Sequence, residues 1–553
     1  MATKFSPEDR AKEGISLNAM FGADRETLRE AWDDLQGQVS RQPALISELQ
    51  SKFQSELWSI WFGGSEVEPP EDGRFRDVAW RDNPFYRRIA QAYAVWSELL
   101  DEWLERSDLE GIEQQRAAFL IEAAKDAFAP VNLPIAPEAL RAALDTRGQS
   151  VVNGLQNLWS DLQSNHGYPA VADREAFEIG KDVANTPGQV VFKNELLELI
   201  QYEPTTEKVR KRPVLYVFSQ VNRFYLGDLT EERSLFRKLL NEGLQVFAVS
   251  WKNPTREQAD WSLETYAEGV IEAISVIREV ASVKKVDLMG LCAGGITAAA
   301  AAGALKARGD DWIKSLSLFV TILDNQPGDS DFSLFATDES VAAQKLRVRA
   351  QGMMSERDVL EMFAMLRLDD NVFSFVRSNY LRGEAPLAHP LLFWSMDYTR
   401  VPAEMQCDLI DLGHRNDLAQ GRYRALGQTV DLSRIDYPVY IAAGSTDHIT
   451  PWPACYRSVH LFGGDSTFVL SNQAHTQTIS AKPNPHLKYW MADELLDTSE
   501  EWLATAHETA GDWRDHWVRW LKSHSKLVKA PKALGSTGYP PIMPAPGEYV
   551  LES

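Results

Sequence analysis

Val286-Asp287-Leu288-Met289-Gly290-Leu291-Cys292-Ala293-Gly294-Gly295-Ile296-Thr297 runs from a short apolar stretch, through a cysteine set among glycines, into an alanine-rich segment. Residues 286–289 have the composition of a strand, and 296–307 read as a helix that includes five alanines at 298–302. Cys292 therefore falls on a sharp strand-to-helix turn. Such a turn crowds the positions two before and two after its apex, and Gly290 and Gly294 occupy them. The turn lifts the sulfur above the end of the sheet, and the helix N-terminus directs partial positive charge toward it. The backbone N–H of Ala293 then points to where an oxyanion would form. The alanines behind it let the helix lie close to the sheet. A buried cysteine in an ordinary glycine-rich turn shows the same five residues, so the case rests on the flanks.

Working outward, strands and helices alternate. Residues 190–202 read as a pair of strands, 213–218 as a strand, 234–242 as a helix, 245–251 as a strand, 260–282 as a helix and 315–323 as a strand. This rhythm predicts an α/β fold with a mostly parallel sheet and helices on both faces. Residues 325–430 interrupt it with helical, aromatic-rich sequence (Phe363, Phe373, Phe375, Tyr380, Phe393, Trp394), as expected of a cap inserted over the end of the sheet. The strand pattern returns at 438–443 and 467–471, a helix is predicted over 499–524, and no regular structure is expected of the Pro/Gly-rich tail 534–547. Helical periodicity also fills 25–61, 86–104 and 109–128, with joints at Gly63-Gly64, Pro69-Pro70, Pro130, Pro134 and Pro137. The chain thus divides into a helical N-terminal region, 1–184, and a catalytic domain, 185–553, carrying the cap at about 325–430.

In this fold a nucleophile elbow is followed in chain order by an acid and then a histidine; G-x-C-x-G is the thiol counterpart of the G-x-S-x-G elbow of α/β-hydrolases. Asp447 follows the strand at 438–443, in Gly444-Ser445-Thr446-Asp447-His448-Ile449-Thr450-Pro451-Trp452. His475 follows the strand at 467–471. Taken singly, the aspartate reads as a turn-former and the histidine as a surface residue; their order behind Cys292 makes them the acid and the base. Asp447 would orient His475 or act as a base itself. Asp324 is the rival acid and His448 the rival base, and His448 and Trp394 are candidates for supporting positions around the site. The second oxyanion donor belongs in the loop Phe218-Ser219-Gln220-Val221-Asn222-Arg223-Phe224-Tyr225, where the N–H of Val221 is chosen. Cys407 and Cys455 read as apolar packing, and so does the helix-spaced stripe Trp513, Trp517, Trp520.

The chain has 553 residues, 44% hydrophobic and 25% charged, with 57 basic and 79 acidic side chains for a net charge of −22. That balance argues against nucleic acid and anionic membrane surfaces as partners. No run approaches the roughly 18 apolar residues of a membrane span, and the first ten residues do not read as a signal peptide. Three cysteines in so long a chain suit a reducing compartment, and a cytoplasmic protein is expected. Metal-ligand spacing, a dinucleotide fingerprint and a P-loop are all missing, so no metal or cofactor is expected.

Several further stretches carry a resemblance. Arg74-Phe75-Arg76-Asp77-Val78-Ala79-Trp80 with Asn83-Pro84-Phe85-Tyr86, then Asn222-Arg223-Phe224-Tyr225, Ser250-Trp251-Lys252-Asn253-Pro254, Asn379-Tyr380-Leu381, Leu392-Phe393-Trp394 and residues 447–452 are similar to stretches of the polyhydroxyalkanoate synthases. Residues 220–225, 250–266 and 544–549 look most like the single-chain, medium-chain-length (class II) type. The resemblance implies polymerisation of (R)-3-hydroxyacyl-CoA with release of CoA, the growing polyester held on Cys292 as a thioester and His475 activating the thiol. It also implies that Asp447 helps to activate the substrate's 3-hydroxyl more than it orients His475. A cytoplasmic homodimer on the polymer granule surface is implied too, with the N-terminal region and the cap as candidate contacts. Phe218-Ser219, in place of a Pro-Pro pair, and Thr476-Gln477-Thr478 depart from the family pattern. The rival readings are a thiol-dependent thioesterase or depolymerase, a single-transfer acyltransferase and a non-enzymatic granule-associated protein.

Overall fold

The computed structural model describes residues 16–18, 23–331, 333–523 and 525–552; the opening stretch read for a signal peptide, and His524, lie outside them. The strands of the main sheet are β1 (Gly188–Lys193), β2 (Leu197–Tyr202), β3 (Pro213–Val217), β4 (Gln245–Trp251), β5 (Val286–Leu291), β6 (Ile313–Phe319), β7 (Val439–Gly444), β8 (Ser466–Ser471), β9 (Lys488–Met491), β10 (His507–Ala510) and β11 (Met543–Pro544). They lie in the order β10-β9-β8-β7-β6-β5-β3-β4-β2-β1-β11. The block from β8 to β4 is parallel, and antiparallel strands extend it at both edges.

Every residue of β3, β5 and β7 is buried, which is the signature of strands covered on both faces. On one face lie Leu263–Val280 and Ala293–Arg308; the second packs close because its alanines 298–302 have no accessible surface. On the other face, Trp513 and Trp517 of helix Trp513–Ser523 set their rings against Phe319 of β6 at 4.8 and 4.9 Å. The indole of Trp517 donates to Ser317 Oγ at 2.9 Å, so the tryptophan stripe is core, with Trp520 partly buried at its end.

Three sequence expectations change. The helix predicted over 499–524 is broken: Ser499–Thr505 ends, β10 pairs with β9, and a new helix begins at Trp513. Gly511, at φ +122°, turns the chain there, and the Asp512 carboxylate accepts from Arg514 N–H at 2.9 Å to start the new helix. The tail 534–547 is ordered: Met543 and Pro544 pair with β1, and the buried carboxylate of Glu198 accepts the N–H groups of Glu548 and Tyr549. The strand foreseen to residue 323 stops at Phe319, because Val320 turns the chain with φ +45°.

The N-terminal helices Pro43–Phe62, Pro84–Arg106 and Gly111–Phe128 share a small core around Leu49, Leu99, Trp103 and Ile121. Helix Gln149–Ser164 lies against the cap. A Cβ on Gly154 would fall 1.9 Å from the Tyr380 carbonyl oxygen, and Asn157 Nδ2 donates to the carbonyls of Asn379 and Glu384 at 2.9 Å. The cap holds helices Asp338–Gln351, Glu356–Leu366, Pro390–Ser395 and Ala403–Arg415, with two π-helical turns, Asp369–Phe373 and Val376–Leu381. Among the described residues no helix is long and apolar enough to cross a membrane.

Candidate active site

Cys292 stands between β5 and helix Ala293–Arg308 with φ +51° and ψ −127°. A non-glycine residue in such a conformation costs about 1–3 kcal/mol and persists only where its surroundings impose it. Here they do. Cys292 N–H donates to the Phe319 carbonyl at 3.0 Å, and Thr321 Oγ1 donates to the Cys292 carbonyl at 3.2 Å. The flanking glycines are required sterically. A Cβ on Gly290 would lie 2.6 Å from Gly295 Cα, and one on Gly294 would lie 2.4 Å from the Phe218 carbonyl carbon. Gly295 is a third such position, with Thr321 Oγ1 only 2.1 Å from a hypothetical Cβ.

His475 opens the short helix His475–Ser480 after β8, and Asp447 sits in the loop after β7. The His475 Nδ1–H donates to Asp447 Oδ2 at 2.7 Å. That bond assigns a proton to Nδ1 and leaves Nε2 as the ring nitrogen available to Cys292. Asp447 also accepts from the N–H groups of Ile449 and Thr450 at 2.9 and 3.0 Å and from Thr450 Oγ1 at 2.7 Å. Its side chain has no accessible surface. Burial opposes its charge, but His475 and the Thr450 donors outweigh that and hold the carboxyl below its usual range. Burial likewise opposes an imidazolium at His475, yet the Asp447 charge and hydrogen bond, together with Cys292, push its pKa up to about 10.

Above these groups the cap encloses a cavity of about 290 Å³. Cys292 and His475 open onto it; Asp447 does not. Its walls are mostly apolar, with Phe363 and Phe375 from the cap and Val320 from the turn after β6. The loop after β3 forms another side. Trp251 Nε1 donates to the Phe218 carbonyl at 3.0 Å, Thr399 Oγ1 to the Gln220 carbonyl at 2.6 Å, and Thr399 N–H to the Val221 carbonyl at 3.0 Å. Val221 lines the cavity, but its own N–H is turned to Ser219 Oγ at 3.2 Å. Ala293 is the first residue of its helix, where N–H groups have no intrahelical acceptor.

The rivals separate by position. Asp324 is bound by Asn416 Nδ2 at 2.6 Å and takes no part in the His475 cluster. His448 lines the same cavity, where burial, with Arg367 adding to it, lowers its pKa. Trp394 also lines it, its indole donating to the Arg223 carbonyl at 2.8 Å. Cys407 and Cys455 are buried, and burial pushes both thiols up, Cys407 to about 11. No group of three or more His, Cys, Asp and Glu side chains among the described residues could hold a metal.

The sequence reading passed over Thr450, Thr321 and the segment at Tyr168–Val171. Thr450 Oγ1 lies 3.1 Å from His475 Nδ1 and so bridges acid and base. Its position three residues after Asp447 is the legible signal, since an aspartate commonly binds backbone and hydroxyl groups two and three residues on. Thr321 and the wall segment had no local signal.

Fold and site together define an acyl-transferring enzyme of the α/β-hydrolase class with a cysteine at its elbow. Residues 225–480 match the family described as alpha/beta hydrolase fold, and residues 71–239 match Poly-beta-hydroxybutyrate polymerase (PhaC) N-terminus. The chain is 38% identical to poly(3-hydroxyalkanoate) polymerase 2 of Ectopseudomonas oleovorans over 97% of its own length and 96% of that protein. It is 37% identical to polymerase 1 of the same organism, over 97% of each chain. With the poly(3-hydroxyalkanoate) polymerase subunit PhaC of Cupriavidus necator the identity is 34%, over 92% of this chain and 88% of the other. The chain belongs to the poly(3-hydroxyalkanoate) polymerase family.

Proposed function

We propose that this enzyme polymerises (R)-3-hydroxyacyl-CoA through a thioester on Cys292. The carrying observation is the 2.7 Å contact between His475 and a fully covered Asp447, beside a cysteine that opens onto the same apolar cavity. The Cys292 sulfur attacks the thioester carbonyl with its proton already held on His475 Nε2, the imidazolium that Asp447 stabilises. The bond to CoA breaks, and the CoA sulfur takes that proton away. The 3-hydroxyl of an acyl unit then attacks the Cys292 thioester, gives its proton to His475, and the ester forms as the sulfur is released. A thioester donates its acyl group to an alcohol more readily than an ester does, which suits chain transfer.

The N–H of Ala293 and one from the loop 218–222 stabilise the oxyanion in this scheme. The Val221 N–H must leave Ser219 Oγ to serve there. Asp447 acts as the group that orients His475 and stabilises its charge: its oxygens are taken up by His475, Ile449 and Thr450, and it has no face on the cavity. That departs from the role the family resemblance implied. The apolar enclosure disfavours water and so favours transfer to an alcohol over hydrolysis. His448 and Trp394 shape the cavity. No cofactor enters the scheme. The enzyme works as a homodimer at the surface of the polymer granule in the cytoplasm.

The test incubates the purified protein with (R)-3-hydroxydecanoyl-CoA, removes the protein and sizes the acyl product. High-molecular-mass polyester that is lost with Cys292→Ala is expected. Free hydroxy acid with CoA release would instead mark a thioesterase.

A further inference from the structure

The cavity over Cys292 is not closed by the catalytic domain alone. Tyr168, Pro169 and Val171, from the segment that leaves helix Gln149–Ser164, form part of its wall. We propose that this segment sets the length of the alkyl side chain an acyl unit can carry at Cys292; the inference rests on the polymerase reading.

The segment is fixed on both sides. Ala170 N–H donates to Asp161 Oδ2 at 3.1 Å, and the Ala170 carbonyl accepts from Asn379 Nδ2 at 2.7 Å. Asp173 N–H donates to the Leu387 carbonyl at 3.0 Å. Asp161 is itself buried and takes a second bond on the same oxygen, from Tyr380 Oη at 2.8 Å. The backbone that presents Tyr168 and Val171 is therefore tied to the cap by paired polar groups, and leaving that position would break them.

Chemistry then selects what fits there. Pro169, Val171, Phe363, Phe375 and Leu391 offer no side-chain hydrogen-bond donor or acceptor to the cavity. Against these five side chains a pantetheine arm with its amides, or a polyester backbone with its carbonyls, would lose hydrogen bonds to water and find no side-chain partner; the partners the cavity does hold for such groups are other lining residues, Asn222, Asn371, Ser395 and Thr476 among them. An alkyl chain loses nothing. At about 290 Å³ the space lies near the lower end of the roughly 300–1,000 Å³ typical of ligand pockets, so a change of a few methylenes at the wall is felt.

The experiment supplies the full-length enzyme with an equimolar mixture of (R)-3-hydroxyacyl-CoA from six to twelve carbons and reads the monomer composition of the polymer. Val171→Phe is expected to lower the ratio of the longest units to the shortest by about tenfold or more, the loss that one unaccommodated methylene brings. Val171→Ala is expected to raise it. The alanine variant decides the matter if the phenylalanine variant does not fold. Composition is independent of how much active enzyme is present, so a general structural defect does not imitate the effect. An unchanged ratio overturns the proposal. Wild-type enzyme that makes no Cys292-dependent polymer overturns the polymerase reading and this one with it, a result read before either variant is made.

Discussion

Gly294→Ala tests the architecture of the site through a single methyl group. The added Cβ would lie 2.4 Å from the Phe218 carbonyl carbon, 2.5 Å from its oxygen and 2.6 Å from the Val217 oxygen. All three are backbone atoms at the end of β3, which cannot rotate away as a side chain could, and Trp251 Nε1 also holds the Phe218 oxygen at 3.0 Å. To reach ordinary contact at 3.4 Å, the start of the loop after β3 must withdraw from the elbow by about 1 Å, a misplacement that costs on the order of 100-fold in rate. Overpacking of this kind also destabilises by about 1–3 kcal/mol. The assay follows CoA release with a thiol-reactive dye at saturating substrate, and thermal unfolding in parallel. Gly37→Ala is the control, because nothing lies within 4 Å of a Cβ there and its helix gains about 0.5–1 kcal/mol from alanine. An unchanged kcat in Gly294→Ala, with unchanged thermal stability, would refute the close approach of β3 to the elbow.

Asp447→Asn leaves the shape of the side chain but withdraws its charge and frees the His475 tautomer; kcat is expected to fall about 10⁴-fold. In the same variant the His475 pKa, followed by NMR, falls from about 10 toward its ordinary value. The pair also has a pH signature. His475 is raised, so its stabilisation is complete below about pH 6.5 and is lost as pH climbs through the folded value; Asp447 is lowered, so its share is complete above about pH 3.9 and is lost on acidification. The stability difference between wild type and Asp447→Asn is therefore greatest between about pH 4 and 6.5 and shrinks on either side, and a difference that does not shrink below about pH 4 or above about pH 6.5 would count against the ion pair. Thr450→Val removes a hydroxyl that touches both acid and base while keeping its volume; steady-state kinetics are expected to show kcat/KM about tenfold lower, the loss of one hydrogen bond to a charged group, and well short of the Asp447→Asn effect.

Local sequence determined the elbow. Gly290, Cys292 and Gly294 lie within five residues, and the crowding that demands the glycines is set by the same turn. It determined the central strands too, because strands buried on both faces are mostly apolar, and the order of strands placed Asp447 and His475 in the loops after β7 and β8. The edges of the sheet were harder to read. Strand β9 is short and partly exposed, and β10 is exposed at every residue, so helix-spaced apolar residues on either side of Gly511 concealed β10. The tail looked structureless because its partners, β1 and Glu198, lie some 350 residues away in the chain.

Only the tertiary structure decided that Asp447 faces His475 and not the cavity, since the direction of a carboxylate depends on donors gathered from its loop and from the next strand's end. The same holds for Val221, whose N–H is claimed by Ser219, and for Tyr168 and Val171, carried to the cavity by hydrogen bonds to residues about 200 positions on. A motif encodes what neighbours in sequence do to one another. The shape of the space above Cys292 is made by segments that meet only when the cap and the N-terminal helices have packed.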